Sequence, residues 1–86
     1  MDADVPIKPM HVEIDGMGRY RKVQTVQELA DMLMSGSWHH RGGKFHRALS
    51  TSIRALELHS HAHTARSAFV DAAHEAGMRI LPDDMP

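Results

Sequence analysis

From His11 to Asp15 polar and apolar residues alternate, with Val12 and Ile14 on one side, the period of a half-buried strand. Gly16 and Gly18 bracket a turn, and Arg19 to Val23 resumes with Tyr20 and Val23 as its apolar members, so a β-hairpin is the simplest reading. At Thr25 the period changes. Thr25-Val26-Gln27-Glu28 fits a capping box, in which the Thr25 hydroxyl accepts from the Glu28 amide and the Glu28 carboxylate reaches back to the Thr25 amide. Val26, Leu29, Ala30 and Leu33 follow at three- and four-residue spacing, predicting a helix from Val26 to about Met34 with Gly36 as its left-handed stop.

Ser37 to Gly43 reads as a loop closed by two glycines. The helical period returns from Lys44, with Phe45, Ala48, Leu49, Ser52, Ile53 and Leu56 on one stripe. Leu58 to His63 interrupts it. Ala65, Ala68, Phe69, Ala72 and Ala76 then rebuild it, with Gly77 as the carboxyl-terminal cap. Met78 to Leu81 is short and apolar and ends at Pro82, which predicts a last strand returning to the hairpin and burying Ile80. Residues 1–9, with Pro6 and Pro9, read as a flexible lead-in, 10–81 as a single domain and 82–86 as a tail. The expected architecture is α+β: a two-layer domain in the order ββαααβ, a three-stranded sheet packed against three helices.

Of the 86 residues, 42 % are hydrophobic, which excludes wholesale disorder, and no apolar run approaches the ~20 residues that span a bilayer. With no cysteine, disulfide scaffolds, zinc fingers and thiol nucleophiles are excluded together. Met-Asp-Ala-Asp-Val-Pro at the amino end lacks the apolar core of a signal peptide, so a cytoplasmic protein is expected.

Several features taken together resemble a known family. They are the capped helix after a hairpin, Trp38, the Gly43-x-Phe45-x-x-Ala48 segment, and Ala65-Arg66-x-Ala68-Phe69-Val70-x-Ala72-Ala73-x-x-Ala76-Gly77. They look like the short proteins of domain of unknown function 982, which occur mainly in soil and plant-associated bacteria. The resemblance covers roughly Val12 to Ile80 and implies the architecture but no activity. Family members often carry cysteine roughly where Ser52 falls here, so any thiol chemistry in the family would not operate in this chain.

The net charge is −1, but its distribution is uneven. Residues 1–15 sum to −3 (one Lys against four acids), 16–70 to +5 (eight basic against three acidic) and 71–86 to −3 (one Arg against four acids). No acid occurs between Asp31 and Glu57, whereas Arg41, Lys44, Arg47 and Arg54 do, with His39, His40 and His46. Arg41, Lys44 and Arg47, with Trp38 beside them, are therefore the candidate surface for an anion or a partner. Lys44 and Arg47 fall near the amino end of the second helix, where unpaired amides and the dipole also favour anions. The competing reading is a solvated face, or one folded against the chain's own acidic termini.

Eight histidines are the second oddity. His59-Ser60-His61-Ala62-His63 offers three imidazoles for a weak metal site; in a helix, however, His61 points away from the other two. Catalytic templates fail. Gly43-Lys44 is followed by Phe45 and the leading P-loop position is Trp38; His11-Val12-Glu13 lacks the cysteine half of a zinc deaminase. His74-Glu75 lacks a second histidine, and no serine sits in a Gly-x-Ser-x-Gly elbow. Glu13 with Asp15 could pair carboxylates, but two acids beside a hairpin turn far more often face solvent; Met32 with Met34 would suit copper, and helix packing explains them equally well. Trp38 is either core or an interface anchor. The expectation is a non-enzymatic interaction module without a cofactor, using the basic surface to bind another protein or itself as a homodimer. The alternatives are anion or nucleic-acid binding by the same surface and metal binding by His59, His61 and His63.

Overall fold

The computed structural model describes residues 4–14, 18–36, 38 and 40–81. The element order is β1 (Pro6–Glu13), β2 (Tyr20–Thr25), α1 (Val26–Leu33), α2 (Gly43–Leu58), α3 (Ala62–Glu75) and β3 (Ile80–Leu81). One antiparallel sheet in the order β2-β1-β3 confirms the expected α+β domain.

β1 pairs with β2 through Met10↔Val23, Val12↔Arg21 and Glu13↔Tyr20, which puts Met10, Val12 and Val23 on the buried face. Ile14 N–H donates to the Arg19 carbonyl (3.0 Å) to close the hairpin, and Gly18 takes φ +81°, open to glycine without Cβ strain. Gly16 and Asp15 lie outside the described residues.

β1 starts earlier than the alternation suggests, at Pro6, so part of the expected lead-in is strand. The register slips between Pro6↔Thr25 and Met10↔Val23, four steps on β1 against two on β2. This bulged stretch accommodates Pro6 and Pro9, which have no N–H to give. β3 pairs only with His11 and Val12, so neither proline faces a second neighbour. Side chains fasten the segment: Gln27 Oε1 accepts from Val5 N–H (3.1 Å) and Arg66 Nε donates to the Lys8 carbonyl (3.0 Å).

Thr25 caps α1 as expected, its hydroxyl accepting from Glu28 N–H (3.2 Å), but the Glu28 carboxylate reaches Gln24 N–H (2.7 Å), one residue before the predicted partner. α1 stops at Leu33 with Met34 as its cap in a right-handed conformation, so Gly36 is not the left-handed stop. The chain instead turns through Ser35, whose amide and hydroxyl both donate to the Met32 carbonyl. α3 ends as predicted. Gly77 at φ +77° sends its N–H to the His74 carbonyl, and Met78 N–H reaches the Ala73 carbonyl (2.8 Å), the paired bonds of a glycine-terminated helix.

α1 lies against β2 and α3 against β1, whereas α2 packs on α1 and α3. The seam between α2 and α3 is built from small side chains: Ala48, Ser52 and Ala55 from one, Ala65, Ala68 and Ala72 from the other. Small residues let helix axes approach closely. That seam corrects the expected α2 stripe. Ile53 is 45 % exposed, and Leu49 and Leu56 are half-buried flanks. Ser52 is fully buried, and its hydroxyl has no hydrogen-bond partner. With α1 and α3 between it and most of the sheet, α2 turns one long side to solvent. No described helix is long and apolar enough to cross a membrane.

Candidate functional site

Arg41, Lys44 and Arg47, with Trp38, were expected to form one surface around the loop before α2, and the structure sets them in different roles. Arg41 is committed to the fold: its Nε donates to the Trp38 carbonyl (3.2 Å), its Nη2 donates to the Ser35 carbonyl (3.3 Å), and its guanidinium lies 5.4 Å from the Phe45 ring centroid. Those carbonyls follow the end of α1, where main-chain acceptors lack helical partners.

Trp38 is 2 % exposed. Its ring meets Phe69 edge-on at 5.4 Å and Phe45 at 6.2 Å, and its Nε1–H donates to the His40 carbonyl (3.1 Å). Trp38 is therefore core and not an exposed anchor, whereas Arg41 stays exposed while giving two of its donors to main-chain carbonyls. The indole caps the three-helix side of the core with its one polar atom satisfied.

The amino end of α2 is also partly served from within. Glu75, at the end of α3, puts Oε1 3.7 Å from His40 Nε2. The same oxygen is 3.4 Å from where a Cβ on Gly42 would stand, so the carboxylate lies in contact range of the start of α2. An acid of the chain itself thus sits where an incoming anion was expected to use the helix dipole. His39 lies outside the described residues.

Lys44, Arg47 and Arg54 remain exposed, and no described carboxylate lies within 4.0 Å of them. At positions 44, 47, 51, 54 and 58 the helical repeat puts the three cations, Thr51 and Leu58 on one stripe about 15 Å long from Lys44 to Arg54. Next to it His46, Leu49, Ser50, Ile53, Arg54 and Glu57 line an open groove of about 390 Å³. Leu49 and Ile53 are its apolar lining residues, and Glu57 adds one carboxylate to the lining.

The remaining predicted groups disperse. His59 and His61 flank the turn between α2 and α3, both in left-handed conformation (φ 52° and 62°), while His63 lies in the first turn of α3. Among the described residues no three metal-ligating side chains come together. Glu13 is occupied by the hairpin and β3, its carboxylate accepting from Gly18 N–H and Arg79 N–H (3.4 Å each). Met32 is core, whereas Met34 is 62 % exposed, so the two thioethers do not share a site.

The comparison with family models matches residues 8–80 to Protein of unknown function (DUF982). No curated protein matches the chain. No solved structure matches it either.

Proposed function

The chain belongs to the DUF982 family, and from that premise we propose that it is a non-enzymatic interaction module whose exposed α2 face docks an acidic protein partner. The observation that carries this reading is the contrast among its cations. Arg41 and Arg66 are bound to main-chain carbonyls, while Lys44, Arg47 and Arg54 stand in solvent beside a groove that sets Leu49 and Ile53 among polar side chains. An apolar centre with a charged rim is the usual make-up of a docking patch. The sequence supplies no catalytic template to set against it.

A second copy is a poor occupant of this face, because two acid-poor stripes would bring like charges together. Nucleic acid is favoured less than protein for a different reason. Trp38, Phe45 and Phe69 are buried and Tyr20 is half-buried, so no exposed aromatic is available for base stacking.

The test is affinity capture from the native host by the wild-type chain, by Lys44→Glu/Arg47→Glu, and by Arg21→Glu/Lys22→Glu on β2. Capture lost with the first reversal, kept with the second and weakened by salt supports the reading. Capture indifferent to the α2 reversal overturns it. Sedimentation at micromolar concentration and a labelled oligonucleotide provide the contrasting arms: self-association, or binding to the oligonucleotide alone, removes the acidic-protein assignment.

A further inference from the structure

We propose that the cleft between the adjoining ends of α2 and α3 binds a small phosphate-class oxyanion. The turn His59-Ser60-His61 reverses the chain in three residues. It brings Thr51 and Arg54, one turn apart on α2, together with His61 and Thr64, one turn apart at the start of α3, around a cleft of about 230 Å³. The four residues around it carry a guanidinium, an imidazole and two hydroxyls at the ends of largely apolar stems, and no carboxylate.

Each of these groups can donate a hydrogen bond to an oxyanion. Thr51 already gives its hydroxyl proton to the Arg47 and Ala48 carbonyls (2.9 and 3.1 Å), so it contributes mainly shape. The side chains of Arg54, His61 and Thr64 have no hydrogen-bond or ion-pair partner among the described residues. An arginine fork is the side chain best matched to a phosphate, because two parallel N–H bonds fit two of its oxygens. No acid of α3 competes for these groups: its first turn carries none, and Thr64 and Ala65 N–H return to the His61 carbonyl.

Size selects the ligand. The cleft is below the ~300 Å³ at which pockets begin to enclose drug-sized molecules, so it takes the phosphate group and leaves any carrier outside. Inorganic phosphate and the phosphate of a small ester share this chemistry. The site is separate from the docking reading except at Arg54. The test therefore leaves Lys44 and Arg47 intact, and either proposal can fail alone.

The experiment is a two-dimensional amide NMR titration of the full chain with inorganic phosphate, and with glycerol phosphate, at constant ionic strength against a chloride control. Saturable shifts are expected at Arg54, His61, Ala62, His63 and Thr64. Arg54→Gln is expected to weaken binding about tenfold, the loss of one charge-assisted contact. His61→Gly should weaken it several-fold without lowering the melting temperature, since glycine suits φ 62°. An unchanged melting temperature in that variant separates lost binding from unfolding. Binding of both probes assigns the site to phosphate esters, and of inorganic phosphate alone to the free ion. Shifts that match chloride, fail to saturate, or survive both substitutions overturn the proposal.

Discussion

Two connections flank α2, and they use their basic side chains in opposite ways. Among the described residues of the connection before α2, side chains add to the main-chain bonds of Ser35 and Trp38: Arg41 ties the Ser35 and Trp38 carbonyls, and the Trp38 indole plugs the core and bonds His40. The turn at 59–61 closes through its own backbone, with the His59 and Ser60 amides both returning to the Ala55 carbonyl. A turn that satisfies its main chain by itself leaves its side chains free, and one that cannot consumes them. Whether a cation in this chain is tied into the fold or left in solvent therefore depends on which loop carbonyls stand beside it, and not on the density of charge.

The sharpest way to break this contrast is Trp38→Ala, which is expected to lower stability by about 3–5 kcal/mol in urea titration, as large core truncations do. A loss below about 1 kcal/mol would show that the indole is not the plug. Arg41→Gln comes next. It removes charge-assisted bonds to two carbonyls and should cost about 1–2 kcal/mol, whereas Arg54→Gln should leave the melting temperature unchanged. Equal effects of the two would erase the distinction between the connections.

Ser52→Ala probes the seam that the second turn holds together. Removing a buried hydroxyl without a partner and adding a better helix former should raise stability by about 1 kcal/mol, or about 4–8 °C in melting temperature for a chain of this size. A lower melting temperature would mean that the hydroxyl is satisfied in solution. The smallest effect is His59→Gly. It relieves a left-handed β-carbon at the cost of a more flexible unfolded chain, for a net gain of about 0.5 kcal/mol, measurable by calorimetry. A loss instead would show that the imidazole contributes to the turn.

Local signals carried most of the architecture. Thr25 as the α1 cap, the alternation around Val12, the glycine at 77 and the apolar Ile80 each act over a few residues and appear in the structure in their expected roles; only the Glu28 carboxylate departs, bonding Gln24 N–H one residue early. Ile53 shows where local reading stops. Leu49, Ile53 and Leu56 recur at helical spacing as well as the true seam does, and only close packing against α3 makes the smaller Ala48, Ser52 and Ala55 the buried set. Pro6 and Pro9 hid the start of β1 because the bulge that tolerates them exists only once β2 is paired. The candidate surface was half legible. The acid-free run located it, but nothing in the spacing of Arg41 distinguishes it from Lys44, since its partners are carbonyls that the α1 terminus exposes. The cleft at Arg54 and His61 depends on two left-handed residues that are not glycine, and the usual mark of such a turn is therefore missing.

The central position of β1 has a consequence for how the polypeptide is made. Its β3-side neighbours come much later in the chain: Glu13 meets Arg79 across 66 intervening steps, and Arg66 reaches back 58 to Lys8. On the ribosome the hairpin emerges early with one flank bare and stays so until the partner residues are translated. A strand edge left open that long invites pairing with other nascent chains, and such distant contacts close late. Holdase chaperones are accordingly expected to engage this chain during translation, and a ribosome stalled before Arg79 to present a protease-sensitive intermediate.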